Sequence, residues 1–563
     1  MPDFRGSPWG NVPALGGRVR VGVRRGPSPS GCEKPPARPV LVRSGERGQV
    51  ARAAIRTPVP TPTSLFGRAG PLIAARLASA CLTLAIPLVL ARTMPQAEYG
   101  TYKLIFLLAL TAASILPCGI TQSLYFFVPR AKEPRAYFGQ TLGFMLVAGA
   151  LGGLAFWASG PALASALSTP GLLAHRFELA IYCGLLVAAS PLETSITSQG
   201  RTRAAAVVCL VSDGLRAAAL VLPALAGRGL HGMMAAMVGW AAMRLVLVWA
   251  FLFASRPGAL FSLRLFRKQL AYALPFGMAI LLAIPQQYAH QFIVAHAVGP
   301  SLFAIYAVGC FELPFVELFY TPTGEVLMVE LGELERAGRR GESAAAFRGA
   351  VDRLAALILP PLAFFFAVAP AFITAAFGAR FAASAPIFRI CLLTMPLGVF
   401  PLDAALRGRG ETRHILASYA VKALVSIPLV WLAVERYGLR GAAVSYVASE
   451  MAGRAFLAAR LPRALSSPTE GLRLRDLIPD RLFRTCIVSA VLAALGAGAL
   501  HLCSDLDIAA IHSTLGRRIL PLGLASLAFG LGYLVHLFGM GTSAKGPLRV
   551  LLSRRRVKPP MPA

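Results

Sequence analysis

The chain has 563 residues, of which 56% are hydrophobic and only 14% charged, with a mean hydropathy of +0.63. Soluble domains carry about 25% charged residues, and a soluble chain of this length would need polar faces on most of its helices, so a water-soluble globular protein is excluded. The net charge of +31 does not point to nucleic acid as a partner: Arg and Lys sit mainly in the N-terminal tail and the short connections, as in a basic membrane protein that obeys the positive-inside rule.

In chain order, residues 1–64 are rich in Arg, Pro and Gly and nearly free of acid. They carry no apolar core that would make a signal peptide, and they read as a disordered basic tail. Apolar runs then recur near 68–91, 103–129, 138–162, 177–198, 204–226, 230–254, 270–297, 302–328, 350–376, 384–406, 414–434, 440–461, 482–503 and 518–540. Each is about 20 residues long, enough to cross a bilayer, which predicts about fourteen transmembrane helices. Pro87, Pro117, Pro191, Pro275, Pro285, Pro314, Pro322 and Pro396 fall inside these runs, where neighbouring helices can satisfy the freed carbonyls. Gly139 with Gly143, and Gly149 with Gly153, form small-xxx-small pairs that predict close helix packing in the third run. The nine cysteines contain no CxxC pair and read as small packing residues.

Alternate connections differ in Arg content. One set holds Arg130, Lys132 and Arg135, then Arg201 and Arg203, then Arg264, Arg267 and Lys268, and later Arg407, Arg409 and Arg413. The opposite set is poorer, with Arg176 alone and Arg228 alone in two of its members. The richer set is expected on the cytoplasmic side, with both termini there too and an even number of spans.

The fourth and tenth runs repeat each other. Pro191-Leu192-Glu193 through Gly200-Arg201-Thr202-Arg203 matches Pro401-Leu402-Asp403 through Gly410-Glu411-Thr412-Arg413 at an offset of 210. Arg244 and Arg454 keep the same spacing, and Gly229-Leu230-His231-Gly232 resembles Gly438-Leu439-Arg440-Gly441 one residue closer. A repeat of six helices preserves orientation. It therefore predicts two parallel six-helix lobes, at 65–256 and 257–465, related by an axis along the membrane normal. Residues 466–545 add two helices with no counterpart, and 546–563 form a basic tail ending beyond Arg554-Arg555-Arg556.

Two stretches carry a family resemblance. Ala97-Glu98-Tyr99-Gly100-Thr101-Tyr102 resembles the turn after the first helix of bacterial polysaccharide flippases, the O-antigen and exopolysaccharide transporters of the multidrug/oligosaccharidyl-lipid/polysaccharide exporter superfamily. A looser echo of the same turn ends at Tyr306. Phe377-Gly378-Ala379-Arg380-Phe381 through Ala385-Pro386 resembles the signature before their tenth helix. The resemblance covers 65 to about 465 and implies an integral protein of the bacterial cytoplasmic membrane that flips a polyprenyl-diphosphate-linked oligosaccharide for surface polysaccharide synthesis. Lipid-linked oligosaccharide, membrane lipids, and a polysaccharide polymerase with export machinery are the implied partners. Where many relatives carry an Asp in the seventh helix, this chain has His290-Gln291.

Charge inside a bilayer costs about 2.5–3.5 kcal/mol on insertion scales and needs a partner or a wet cavity. Arg76, Arg216 and Lys422, then Arg244 and Arg454, are the cations placed to line a central cavity and grip a diphosphate; Glu312 and Glu317 are the acids placed to join them. Structural pairing is the competing reading: Asp213 with Arg216, Glu450 with Arg454, and Glu193 or Asp403 with a nearby Arg. His290 reads as a satisfied buried histidine rather than a proton relay. No nucleophile motif, phosphate-binding loop or metal cluster stands out in the sequence, and no cofactor is expected. Two other functions compete with the flippase: a drug or cation antiporter of the same superfamily, which would favour cavity acids, and a glycan polymerase or ligase, which would need a larger outer loop than any seen here.

Overall fold

The computed structural model describes residues 79, 82–131, 134–253, 258–466, 471–505 and 514–539. The tails expected at 1–64 and 546–563, and most of the first expected span, lie outside these residues. Among the described residues every regular element is helical. Ten helices are long and apolar enough to cross a membrane, or eleven if one bent pair counts as a single span.

The N-terminal lobe begins with α1 (Leu82–Thr93). Next come α2 (Gln96–Ile115) and α3 (Ile120–Phe127), bent by 43° at the Pro117 break. Then follow α4 (Arg135–Ala166), α5 (Pro170–Ala174), α6 (Arg176–Ala188), α7 (Leu192–Ser198), α8 (Thr202–Leu225) and α9 (Gly229–Phe253). Gly149 and Gly153 of α4 lie against the backbone of Gly184 and Ala180 of α6, and Gly139 lies against Leu260, whereas Gly143 faces open space. The small-xxx-small contact is therefore made by the second pair.

The C-terminal lobe holds α10 (Leu263–Ala297), α11 (Pro300–Gly309), α12 (Phe315–Arg336), α13 (Ser343–Phe377), α14 (Ser384–Leu392), α15 (Leu402–Gly408) and α16 (Thr412–Leu465). The run expected at 302–328 is broken between α11 and α12. The last two expected spans of this lobe, 414–434 and 440–461, are joined in α16 through Gly438, whose φ of 60° and ψ of −147° are not helical. Lys422 and Glu450, 28 positions apart, would be about 42 Å apart along one straight helix. Their side chains meet at 2.6 Å, so the chain doubles back at Gly438, in a conformation that a Cβ would oppose. Beyond it, α17 (Arg481–Asp505) and α18 (Thr514–Gly539) pack on α13. Phe364 stacks on Phe529 at 4.5 Å, and the Tyr533 hydroxyl donates to the Leu357 carbonyl.

Large apolar side chains face outward: Leu151 and Leu154 on α4, Val246 on α9, Leu424 on α16 and Val535 on α18 are all exposed. Such a surface is sealed by lipid, not by water. α10, though it opens the C-terminal lobe, also packs on the N-terminal one. At its start Gln269, fully buried, accepts from Gln140 at 2.6 Å and donates to Ser123 and Thr141 at 2.8 Å, all on α3 and α4. Towards its end the His290 ring stacks on Tyr446 of α16 at 4.1 Å.

Candidate functional site

At one end of the molecule the lobes are closed against each other, along a seam made by residues in and beside the two stretches of family resemblance. The turn from α1 to α2 brings Arg92, Gln96, Tyr99 and Gly100 against the C-terminal lobe. Tyr99 is fully buried and packs edge-on against Phe381 at 5.5 Å. The Gln96 amide donates to the Ser301 carbonyl at 2.9 Å, Arg380 donates to the Arg92 carbonyl at 2.7 Å, and Arg92 donates to the Ala375 carbonyl. A Cβ at Gly100 would lie 2.0 Å from the Pro300 oxygen, so glycine permits this approach and no larger residue does. Glu98 turns the other way and accepts from the Leu230 N–H at 2.5 Å, capping the start of α9.

The break between α11 and α12 opens on a cavity of about 540 Å³. Pro314 removes a backbone donor and pushes the residue before it out of helical geometry. Irregular backbone at this depth is tolerated where it lines a cavity, and Cys310 through Pro314 all do so. The facing walls come from α10 (Gln287, His290, Gln291) and the second arm of α16 (Tyr446, Glu450, Arg454). The carboxyl groups are Glu312, Glu317 and Glu450, and the lining cation is Arg454. Lys422 donates to Glu450 at 2.6 Å from behind this wall. Burial and satisfaction of His290 follow the sequence expectation, since its Nδ1 lies 2.8 Å from the buried Tyr306 hydroxyl.

The offset of 210 continues into side-chain chemistry. In the N-terminal lobe, Arg244 donates to both oxygens of Glu193 at 2.7 and 2.8 Å and to the Ser212 hydroxyl at 2.6 Å, while the Trp240 indole donates to the Ser212 carbonyl. The equivalent positions are Arg454, Asp403, Lys422 and Glu450. There the pairing is exchanged: Lys422 binds Glu450, Asp403 accepts from Tyr320 and lies 3.2 Å from Arg407, and Arg454 donates to the Leu397 carbonyl.

The sequence model of the family described as Polysaccharide biosynthesis protein matches residues 89–386. The chain belongs to this family. The match starts within α1 and ends at Pro386, so it spans both faces of the seam. Among solved structures the chain is similar to "Lipid II flippase MurJ, inward closed conformation", with a TM-score of 0.61 at 10% identity over 83% of this chain and 99% of that one. It is also similar to an inward-facing multidrug resistance MATE family transporter of the MOP superfamily, with a TM-score of 0.58 at 16% identity over 70% and 96%. At these identities the likeness shows a shared fold. No curated protein matches.

Within this family fold, the residues singled out from the sequence do not form one cluster. Glu312, Glu317 and Arg454 meet at the C-terminal cavity, and Lys422 reaches it through Glu450. Arg244 lies in the N-terminal lobe, held by Glu193. Arg216 also lies there, donating to Thr83 at 2.9 Å with Asp213 at 3.4 Å, and Asp213 accepts in turn from Ser79. Arg76 lies outside the described residues. Sequence reasoning missed Gln287, Tyr446 and the Cys310–Cys391 contact (3.6 Å between sulfurs) in the cavity wall. The available signal was Glu312-Leu313-Pro314, an acid that needs a partner or a wet cavity beside a helix-breaking proline.

Proposed function

We propose that this protein flips a polyprenyl-diphosphate-linked oligosaccharide across the bacterial cytoplasmic membrane by alternating access, for surface polysaccharide synthesis. The observation that carries the reading is the seam. Two lobes of the same fold, in a polysaccharide biosynthesis family, close against each other at one end through the residues that mark the family. The Arg-poor connections lie at this end, so it is the outer gate, and both termini are cytoplasmic. The headgroup is gripped by cations of the N-terminal lobe, with Arg216 and Arg76 as the residues to test. Arg216 supports this because its side chain keeps 30% exposure beside Asp213. Transport without covalent chemistry is the activity, with the glycosyl-transferring and polymerising steps left to partner proteins.

A second reading, a cation antiporter, is favoured by the cavity itself. With Glu450 paired to Lys422, Glu312 and Glu317 still outnumber Arg454 around it, and such a field attracts a cation. Within the flippase reading the same field suits a coupling ion instead of the cargo.

The test is a cysteine pair at Gln96 and Ser301 in an otherwise functional chain. Oxidation should lock the outer gate and stop glycan display at the cell surface, and reduction should restore it. Normal display with the cross-link complete would overturn the gate. Display unaffected by deleting the gene, together with cation efflux that depends on Glu312, would favour the antiporter.

A further inference from the structure

We propose that His175, Glu178 and His231 bind a divalent transition-metal ion of the zinc class, pinning the start of α6 to the start of α9. Three donor atoms from these side chains lie within 4.8 Å of one another. The His231 Nδ1 is 2.7 Å from the Glu178 Oε1, and the His175 Nδ1 is 3.8 Å from the same oxygen. Ligands about 2.0–2.2 Å from a tetrahedral zinc ion are separated by distances of this order, so small side-chain rotations would complete the geometry. The backbone holds the ligands from two directions. His175 occupies the N-cap position of α6 without making a capping hydrogen bond, and Glu178 sits in the first turn, three residues on. His231 is presented by the first turn of α9, and Glu98 of α2 fixes that turn by accepting from the Leu230 N–H.

A second observation separates this cluster from an ordinary ion pair. The His175 Nδ1 is buried and has no hydrogen-bond partner, and 3.8 Å is too long for a hydrogen bond to Glu178. A buried nitrogen left unsatisfied is costly, and a shared cation would satisfy it. His231 is 76% exposed on its side chain, which leaves an open path for the ion and room for a water as the remaining ligand. Two imidazoles with one carboxylate suit Zn²⁺, Ni²⁺ or Cu²⁺ and disfavour Mg²⁺ and Ca²⁺, which take oxygen ligands. The site lies beside Arg176 and Arg228, in the Arg-poor connections, so it would draw its ion from outside the cell. It is independent of what the protein transports.

The experiment uses the full-length chain, with no histidine tag, purified in detergent and freed of metal with EDTA. Titration with Co²⁺ should develop visible d–d absorption with one equivalent bound, and Zn²⁺ should displace it. His231→Ala, a change at an exposed position, should leave the metal-free melting temperature unaltered and weaken Zn²⁺ binding by about 100-fold, at the upper end of what even indirect losses around a metal cost. Glu178→Gln should weaken it similarly. Zn²⁺ should raise the melting temperature of the wild type and not of His231→Ala. No Co²⁺ absorption in the wild type, Zn²⁺ binding unchanged in His231→Ala, or equal competition by Mg²⁺ or Ca²⁺ would each overturn the proposal.

Discussion

Each lobe has a helix interrupted by proline near its second span, and the two interruptions meet opposite fates. In the N-terminal lobe the break at Pro117 is filled: Gly277 of α10 presses on the Cys118 backbone, and Phe276 lies against Gly119. In the C-terminal lobe the break at Pro314 lines the cavity. The repeated polar layer follows suit. Arg244 is locked to Glu193 and Ser212, whereas Arg454, its counterpart, is held by backbone carbonyls and looks into the cavity. One architecture thus supplies a packed lobe and a hollow one. The difference comes from what plugs the break and from one substituted pair, Ser212 and Trp240 against Lys422 and Glu450.

The contrast predicts that stability effects fall, and transport effects rise, from the first lobe to the second. The largest stability loss is expected for Arg244→Ala, which strands Glu193 and should cost about 3–5 kcal/mol; thermal melting of detergent-solubilised protein and membrane abundance measure it. Gly277→Ala comes next. Its new Cβ would lie 2.5 Å from the Cys118 oxygen, and overpacking of this kind costs about 1–3 kcal/mol. Arg454→Ala should cost about 1 kcal/mol, a hydrogen bond's worth, yet reduce glycan display more than its effect on abundance explains. Rewriting the second lobe as the first, with Lys422→Ser and Glu450→Trp together, removes both charges at once and should barely move the melting temperature while abolishing display. Equal stability losses for Arg244→Ala and Arg454→Ala would erase the distinction between a packed and a hollow lobe.

The architecture was largely legible in the sequence, because hydrophobic length and the 210-residue spacing are one-dimensional properties. The Glu98-Tyr99-Gly100 stretch was legible as a family mark but not as a seam between the lobes, since its partners Pro300 and Phe381 lie far along the chain. The site was less legible. Charges inside apolar runs pointed to a cationic centre, but Arg216, Arg244 and Lys422 each have an acid beside them, and pairing depends on which helix faces which. For Arg216 that acid, Asp213, lies three residues away on the same helix and could be read directly. For Lys422 the acid comes from the other arm of a turn at Gly438, and the sequence offered Arg454 as an equally good neighbour for Glu450. The proline that breaks the span before α12 was visible; that the break is hollow depends on the absence of a plug.

The shared helix α10 sets a mechanical condition on any rocking of the lobes. Its first half is anchored by Gln269 and Gly277 to one lobe and its last third by His290 to the other. Relative movement must therefore be absorbed as bending in the stretch between, where Met278 and Leu281 are exposed. Pro285 lies within that stretch, where it has already deleted one backbone hydrogen bond of the helical ladder. The strut is compliant at the place where the load falls, so the lobes can tilt without tearing the helix that ties them together.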